Sequence, residues 1–414
     1  MSPTSPPSPA ARPGWHPLVV AALLFTLTSG SLTGAFDLWS LRVASHPVPL
    51  DHHRGHGLSQ LFGFWWLFLA GLSMHLAPRF FGAPAPGTAA LRRLRWTAIP
   101  AVLLAVVGRL GALVPHSRWL GLAGAVLLLV ATVDWGAQVL RCHRASAAPA
   151  DALRTFCLAG TAWWVVASAS FFWWQLGQSL GGPAEGASLE TVWAPAMLGG
   201  AGSWLWGIFQ RPGVATLGLA RPSPLQVQAS FWTWQLAALA ATFSAWSGGS
   251  WEEALSGALF AVAAATLLGT LRPWASQGLA PTGALQPRAM QAGLAFVAVS
   301  GALRARAALG ALGIDAPVLV QDAARHAFSL GGGTLLLFGF AGRMVPGFSG
   351  VPLRWPRLYD AGVLGVMLGT ALRLSELLPS PWGPTLAGAS AGVAYAGVAM
   401  VGVVLLGTLR QRPA

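Results

Sequence analysis

Two histidines draw attention by position. His56 opens the apolar run HGLSQLFGFWWLFLAGLSMHLAPRFFG (56–82), and His326 opens HAFSLGGGTLLLFGFAGRMVPGFSG (326–350). His56 lies 22 residues before Pro78 and His326 lies 20 before Pro346, so two helices running the same way would hold them at nearly one depth. Two neutral imidazoles at one depth on two helices are what a bis-histidine haem iron requires. The approach of a flat macrocycle also needs small neighbours. Gly63 and Gly71 follow His56 on one face, and Gly331, Gly332 and Gly333 follow His326. The same glycines serve equally well to let helices pack closely, and each histidine could simply bond a carbonyl. His75 lies about 28 Å from His56 along a helix, too far for one small cofactor to take both.

The elements that position these residues are membrane helices. The chain has 414 residues, 54% hydrophobic and only 9% charged, against about 25% charged in a soluble domain. Twelve runs are long and apolar enough to span, at about 17–36, 57–78, 97–115, 118–140, 153–174, 191–210, 226–246, 252–271, 289–309, 319–342, 359–378 and 384–408. The ninth is the least secure, interrupted by Leu303-Arg304-Ala305-Arg306. Residues 1–16 read as a disordered Pro/Ser-rich tail, and 17–410 as one all-α transmembrane domain. The net charge of +13 comes from 25 arginines and no lysine. The arginines sit in short loops, which points to the positive-inside rule rather than to nucleic acid. Seventeen fall on one side and eight on the other or in outer half-spans, so both termini are expected in the cytoplasm of a bacterial cell, with the chain in its inner membrane. Cys142 and Cys157 fit no metal spacing, and on the cytoplasmic side no disulfide is expected between them.

An internal repeat organises the spans. Gly71, His75, Pro78 and Gly82 stand at offsets 0, 4, 7 and 11; Gly339, Arg343, Pro346 and Gly350 repeat them, as do Gly207, Arg211, Val214 and Gly218 without the proline. Helices two, six and ten therefore read as copies. The domain reads as three blocks of four helices, at about 17–140, 153–271 and 289–408. Most twelve-helix transporters are built as two halves instead. The repeat also pairs His75 with arginines at the inner edge, where a basic group anchors a helix to headgroups.

At these residues a family pattern emerges. HGLSQLFGF followed by GLSMHLAPRF resembles the second helix of haem–copper oxidase subunit I. It also resembles the NnrS family, haem- and copper-binding membrane proteins linked to nitric-oxide stress. RHAFSLGGGTLLLFGFAGRMVPGFSG (325–350) resembles the tenth helix of both. The resemblance implies that His56 and His326 hold a low-spin haem b. The position of the high-spin haem ligand is Ala324, and the copper-bearing sixth and seventh helices have no histidine. Where NnrS has a second histidine and a glutamate stand Leu58 and Ser59, and Phe348 replaces a later histidine. The resemblance thus implies one haem, no copper centre, and no oxygen- or NO-reducing activity for this chain alone. Quinol or a periplasmic cytochrome would be its electron donor.

Several residues could support such a site. Haem propionates need cations near the outer face, and Arg54, Arg325, Arg373, Arg304 and Arg306 are candidates, each equally readable as loop charge. Asp322, one turn before His326, could orient its imidazole. Asp134 is an intramembrane acid, a functional pointer by default, though its depth suits an inner-interface Asp. The remaining histidines, including His52 and His53, fall in expected loops or tails. Two rival readings stay open: a transporter with Asp134, Arg109 and Asp322 along a path, and a haem-free assembly or partner subunit.

Overall fold

The computed structural model describes residues 14–110, 117–147, 151–181, 189–275, 285–314, 319–379 and 381–411. Most of the expected N-terminal tail and the end of the third expected span lie outside them. The described residues are all-helical and form long stretches in order: α1 (His16–Arg42), α2 (Leu50–Phe81), α3 (Thr88–Leu110), α4 (Ser117–Arg144), α5 (Ala152–Ser179), α6 (190–216), α7 (Pro224–Ser247), α8 (Ser250–Leu271), α9 (Gln286–Ala311), α10 (Val320–Ser349), α11 (Pro356–Arg373) and α12 (Trp382–Leu409). Among the described residues, eight helices are long and apolar enough to cross a membrane by length and composition, and the protein is an integral membrane protein. They do not include α3, α6, α7 and α11. Of these, α3 carries Arg92, Arg93, Arg95 and Arg109, and α11 carries Arg357, Asp360 and Arg373. The doubtful ninth run is one unbroken helix, because Arg304 has a partner in the bundle.

Burial sorts the helices into two groups. In the spanning windows of α2 and α10, 94% and 83% of residues are buried, and α6 is buried along nearly its whole length. The other helices bury one face and leave the other to lipid. A helix apolar all round belongs in the middle of such an assembly. Sequential helices pack as neighbours, and α12 packs against α1. Glycine sets the close approaches. A Cβ on Gly124 would lie 2.4 Å from Ala105 N, and one on Gly397 would lie 2.5 Å from Val366 N.

The three central helices share two further features. Each widens to π-helical geometry near its middle, at Ser59–Trp66, Ala194–Gly202 and Ala327–Thr334. Such widenings are uncommon and gather at functional sites. Each also ends on a left-handed glycine: Gly82 at φ +63°, Gly218 at +60° and Gly350 at +66°. The residue after each glycine donates its N–H back to the carbonyl of Pro78, Val214 or Pro346, which closes the helix end.

A Cβ on Gly350 would meet nothing within 4 Å, and the same holds for Gly347 three residues earlier at ordinary φ. Gly350→Ala is expected to destabilise the fold by about 1–2 kcal/mol through backbone conformation alone, whereas Gly347→Ala should not destabilise it. Unfolding of the two variants in mixed micelles checks this; equal stabilities would refute the role of the left-handed end.

Candidate functional site: a polar cavity between the central helices

α1, α2, α6, α10, α11 and α12 enclose a cavity of about 390 Å³, within the size range of ligand sites. Both His56 and His326 line it. His56 comes from the first turns of α2, just before the π-helical segment, and His326 is the residue that precedes the corresponding segment of α10. The Nδ1 of His56 donates to the Gly30 carbonyl at 2.8 Å, and that of His326 donates to the Asp322 carbonyl at 2.9 Å. A carbonyl can only accept, so each neutral imidazole carries its proton on Nδ1. That leaves the lone pair on Nε2, the arrangement a metal-ligating histidine takes. The His56 ring lies against Gly34 of α1, where a Cβ would come within 2.3 Å of its Cε1.

One end of the cavity is charged. Arg42 bonds Glu376 at 3.3 Å, Glu376 pairs with Arg373, and Arg373 pairs with Asp322. Arg325 lies 3.9 Å from Asp322 and 2.9 Å from Glu190, and Arg304 lies 3.6 Å from Glu190. Trp193 lies under both Arg304 and Arg325, 5.2 and 5.8 Å from its ring centre. Four guanidiniums thus alternate with three carboxylates. The Nε atoms of Arg42, Arg325 and Arg373, Asp37 Oδ2 and Ser329 Oγ are buried without a hydrogen-bond partner among the described residues, and all five side chains line the cavity. Such groups normally find partners.

The structure brings His56, His326, Arg325 and Arg373 to this one cavity, and it does not bring Arg54, Gly63 or Gly333 to its wall. Arg54 lies 5.5 Å from the Trp174 ring and 3.6 Å from Asp51. Gly63 packs on Phe25 and Gly333 on Trp65. Arg304 joins the charged chain, whereas Arg306 keeps a buried Nη1 without a partner among the described residues. The Asp322 carboxylate meets the Arg373 and Arg325 side chains and lies 3.4 Å from the Nδ1 of His326. Asp134 is held by two bonds from Arg93, at 3.1 and 2.6 Å. Arg109 stacks 3.9 Å over Trp174 and bonds Gln175 and Gln178. Asp134, Arg109 and Asp322 therefore belong to three separate networks. His75 packs on Phe348 and Trp15, and Cys142 and Cys157 are buried and free.

Some residues differ from their expected setting. His52 and His53 are helical rather than in a loop, because Pro49 starts α2 and Asp51 sits in its first turn. His53 lines the cavity, and His52 pairs with Asp37 at 2.5 Å. Sequence reasoning also passed over Glu376, although an acid inside an expected span is a standard pointer. Glu190 and Gly34 gave no comparable signal.

No protein-family model matches the chain, and no curated protein matches it. Among solved structures it is similar to a heme-copper terminal oxidase determined by cryo-EM as a dimer. The TM-score is 0.74 at 12% identity, covering 98% of this chain and 85% of the oxidase chain. The fold is therefore of the heme-copper oxidase type.

Arg373 is buried between Asp322 and Glu376. Arg373→Gln is expected to cost about 3–5 kcal/mol of stability, since removing one partner strands buried charges. Exposed Arg93→Gln should cost far less. Chemical unfolding in detergent compares them; equal losses would show that the network does not hold the bundle.

Proposed function

We propose that this chain is a haem b-binding integral membrane protein of the NnrS or oxidase-subunit-I type, holding one low-spin haem between His56 and His326 and passing electrons. The observation that carries the reading is the shared cavity wall of these two imidazoles, each with Nδ1 tied to a backbone carbonyl. The remaining donor set suits the same group. The charged chain has one more cation than anion, and the unbonded Nε atoms of Arg325 and Arg373 suit a carboxylate-bearing ligand. Glycine at position 34 leaves the room in which the His56 ring lies.

A haem bound by two histidines supplies one-electron transfer rather than open-site chemistry. His56 and His326 would set its orientation, Arg325 and Arg373 would neutralise its acidic edge, and Asp322 would fix the His326 ring. The likeness to a terminal oxidase is one of fold. The chain's own residues favour a narrower role, since Ala324 and the histidine-free α6 and α7 offer no ligands for a second centre. Two residues after His326, Phe328 packs against Trp193, Trp234 and Phe260, so aromatic rings fill that other face of α10. The shared widenings and left-handed ends of α2, α6 and α10, with π segments starting 135 and 133 residues apart, support twelve spans built as three blocks of four. The arginine distribution supports cytoplasmic termini in a bacterial inner membrane. The NnrS resemblance makes nitric-oxide or redox stress the setting, with quinol or a cytochrome as donor.

The decisive test is a reduced-minus-oxidised visible spectrum of the detergent-purified protein. Sharp α and Soret bands are expected, lost in both His56→Ala and His326→Ala. Gly34→Ala, which forces the His56 ring aside, should lower haem occupancy while leaving the fold intact by circular dichroism. A colourless protein from cells supplied with haem would defeat the proposal.

A further inference from the structure

A second hollow lies at the opposite end of the bundle. α6 runs from Glu190 at the cavity to Arg211, 21 residues later, which is about 30 Å of helix. Around Arg211 the start of α5, the end of α6 and the start of α7 enclose a groove of about 1300 Å³. Its wall is apolar, built from Phe156, Val214, Leu219, Val227 and Phe231, with exposed Trp232 at its edge. Its mouth is polar and cationic. Arg211 and Arg221 line it against a single acid, Asp151, which pairs with Arg211. Arg221 is exposed and has no acidic partner among the described residues. Gln210 also lines the groove, and its Nε2 is buried with no hydrogen-bond partner among the described residues.

We infer that this groove holds an anionic phospholipid, its acyl chains along Phe156, Phe231 and Trp232 and its phosphate at Arg221 and Arg211. Three features select that occupant. The wall and mouth are amphipathic in the order that a lipid is. The site has a net positive charge, and basic pockets between membrane helices take acidic headgroups. The groove's distance from the histidine cavity, most of a membrane thickness, argues against a redox carrier delivering electrons from it. The inference is independent of haem binding.

Native mass spectrometry of the full-length protein tests it, in micelles holding equal amounts of phosphatidylglycerol, phosphatidylcholine and a short-chain quinone. Wild-type protein is expected to retain phosphatidylglycerol in clear excess. Arg221→Gln, which breaks no ion pair, should cut that excess by about fivefold, the worth of one basic residue at a membrane surface. Arg211→Gln with Arg221→Gln should abolish it. If the double variant does not fold, the single variant decides. Equal retention of both phospholipids, preferential retention of the quinone, or an unchanged excess in Arg221→Gln would each overturn the inference.

Discussion

Charge that enters an apolar bundle must bring its own partner, and the cavity end of this protein is organised by that requirement. A lone buried carboxylate or guanidinium is expensive, and a pair recovers the loss only with good geometry and further hydrogen bonds. Here Asp322 faces Arg373 and Arg325, Glu376 faces Arg42 and Arg373, and Glu190 faces Arg325 and Arg304. Each carboxylate thus has two cations, and each shared cation ties two helices. The helices so joined are α1, α6, α9, α10 and α11. The cavity can exist because its rim is fixed this way; removing one member would leave the others stranded in a setting that water reaches poorly.

The same requirement explains what could be read from the sequence. Long apolar runs announce spans because the backbone must satisfy itself in lipid. His56 and His326 could be placed at matching depth because helix rise converts residue counts into distance, and both line one cavity. The offsets that end at Gly82, Gly218 and Gly350 mark three helix ends with positive φ, where glycine is the residue without a steric penalty. These features are local or depend on one helix at a time.

What stayed hidden depends on two or more helices. Arg304 looked like a break in the ninth run because its partner, Glu190, is over a hundred residues away. Arg54 was a candidate as a cation expected near the outer face, yet it stands two residues from His56 on the same helix, a spacing that points it to another side, toward Trp174. Gly63 and Gly333 have the small size that a cofactor needs, and Phe25 and Trp65 use it for helix packing instead. Small residues carry no label for which neighbour will come close. His53 precedes the second expected span at 57–78 and so reads as loop, whereas Pro49 begins the helix eight residues earlier.

The three central helices share a scaffold but not a role. Counting from the start of each π-helical segment, the residue just before it is His326 in α10 and Trp193 in α6. One supplies an imidazole with a free Nε2; the other supplies a flat indole beneath Arg304 and Arg325. A cation over an aromatic face keeps its charge while giving up water, so Trp193 and Glu190 together hold Arg325 at the cavity wall without neutralising all of the positive charge there. α6 thereby supplies no histidine and still shapes the cavity, by positioning the cation that α10 carries one residue before its histidine.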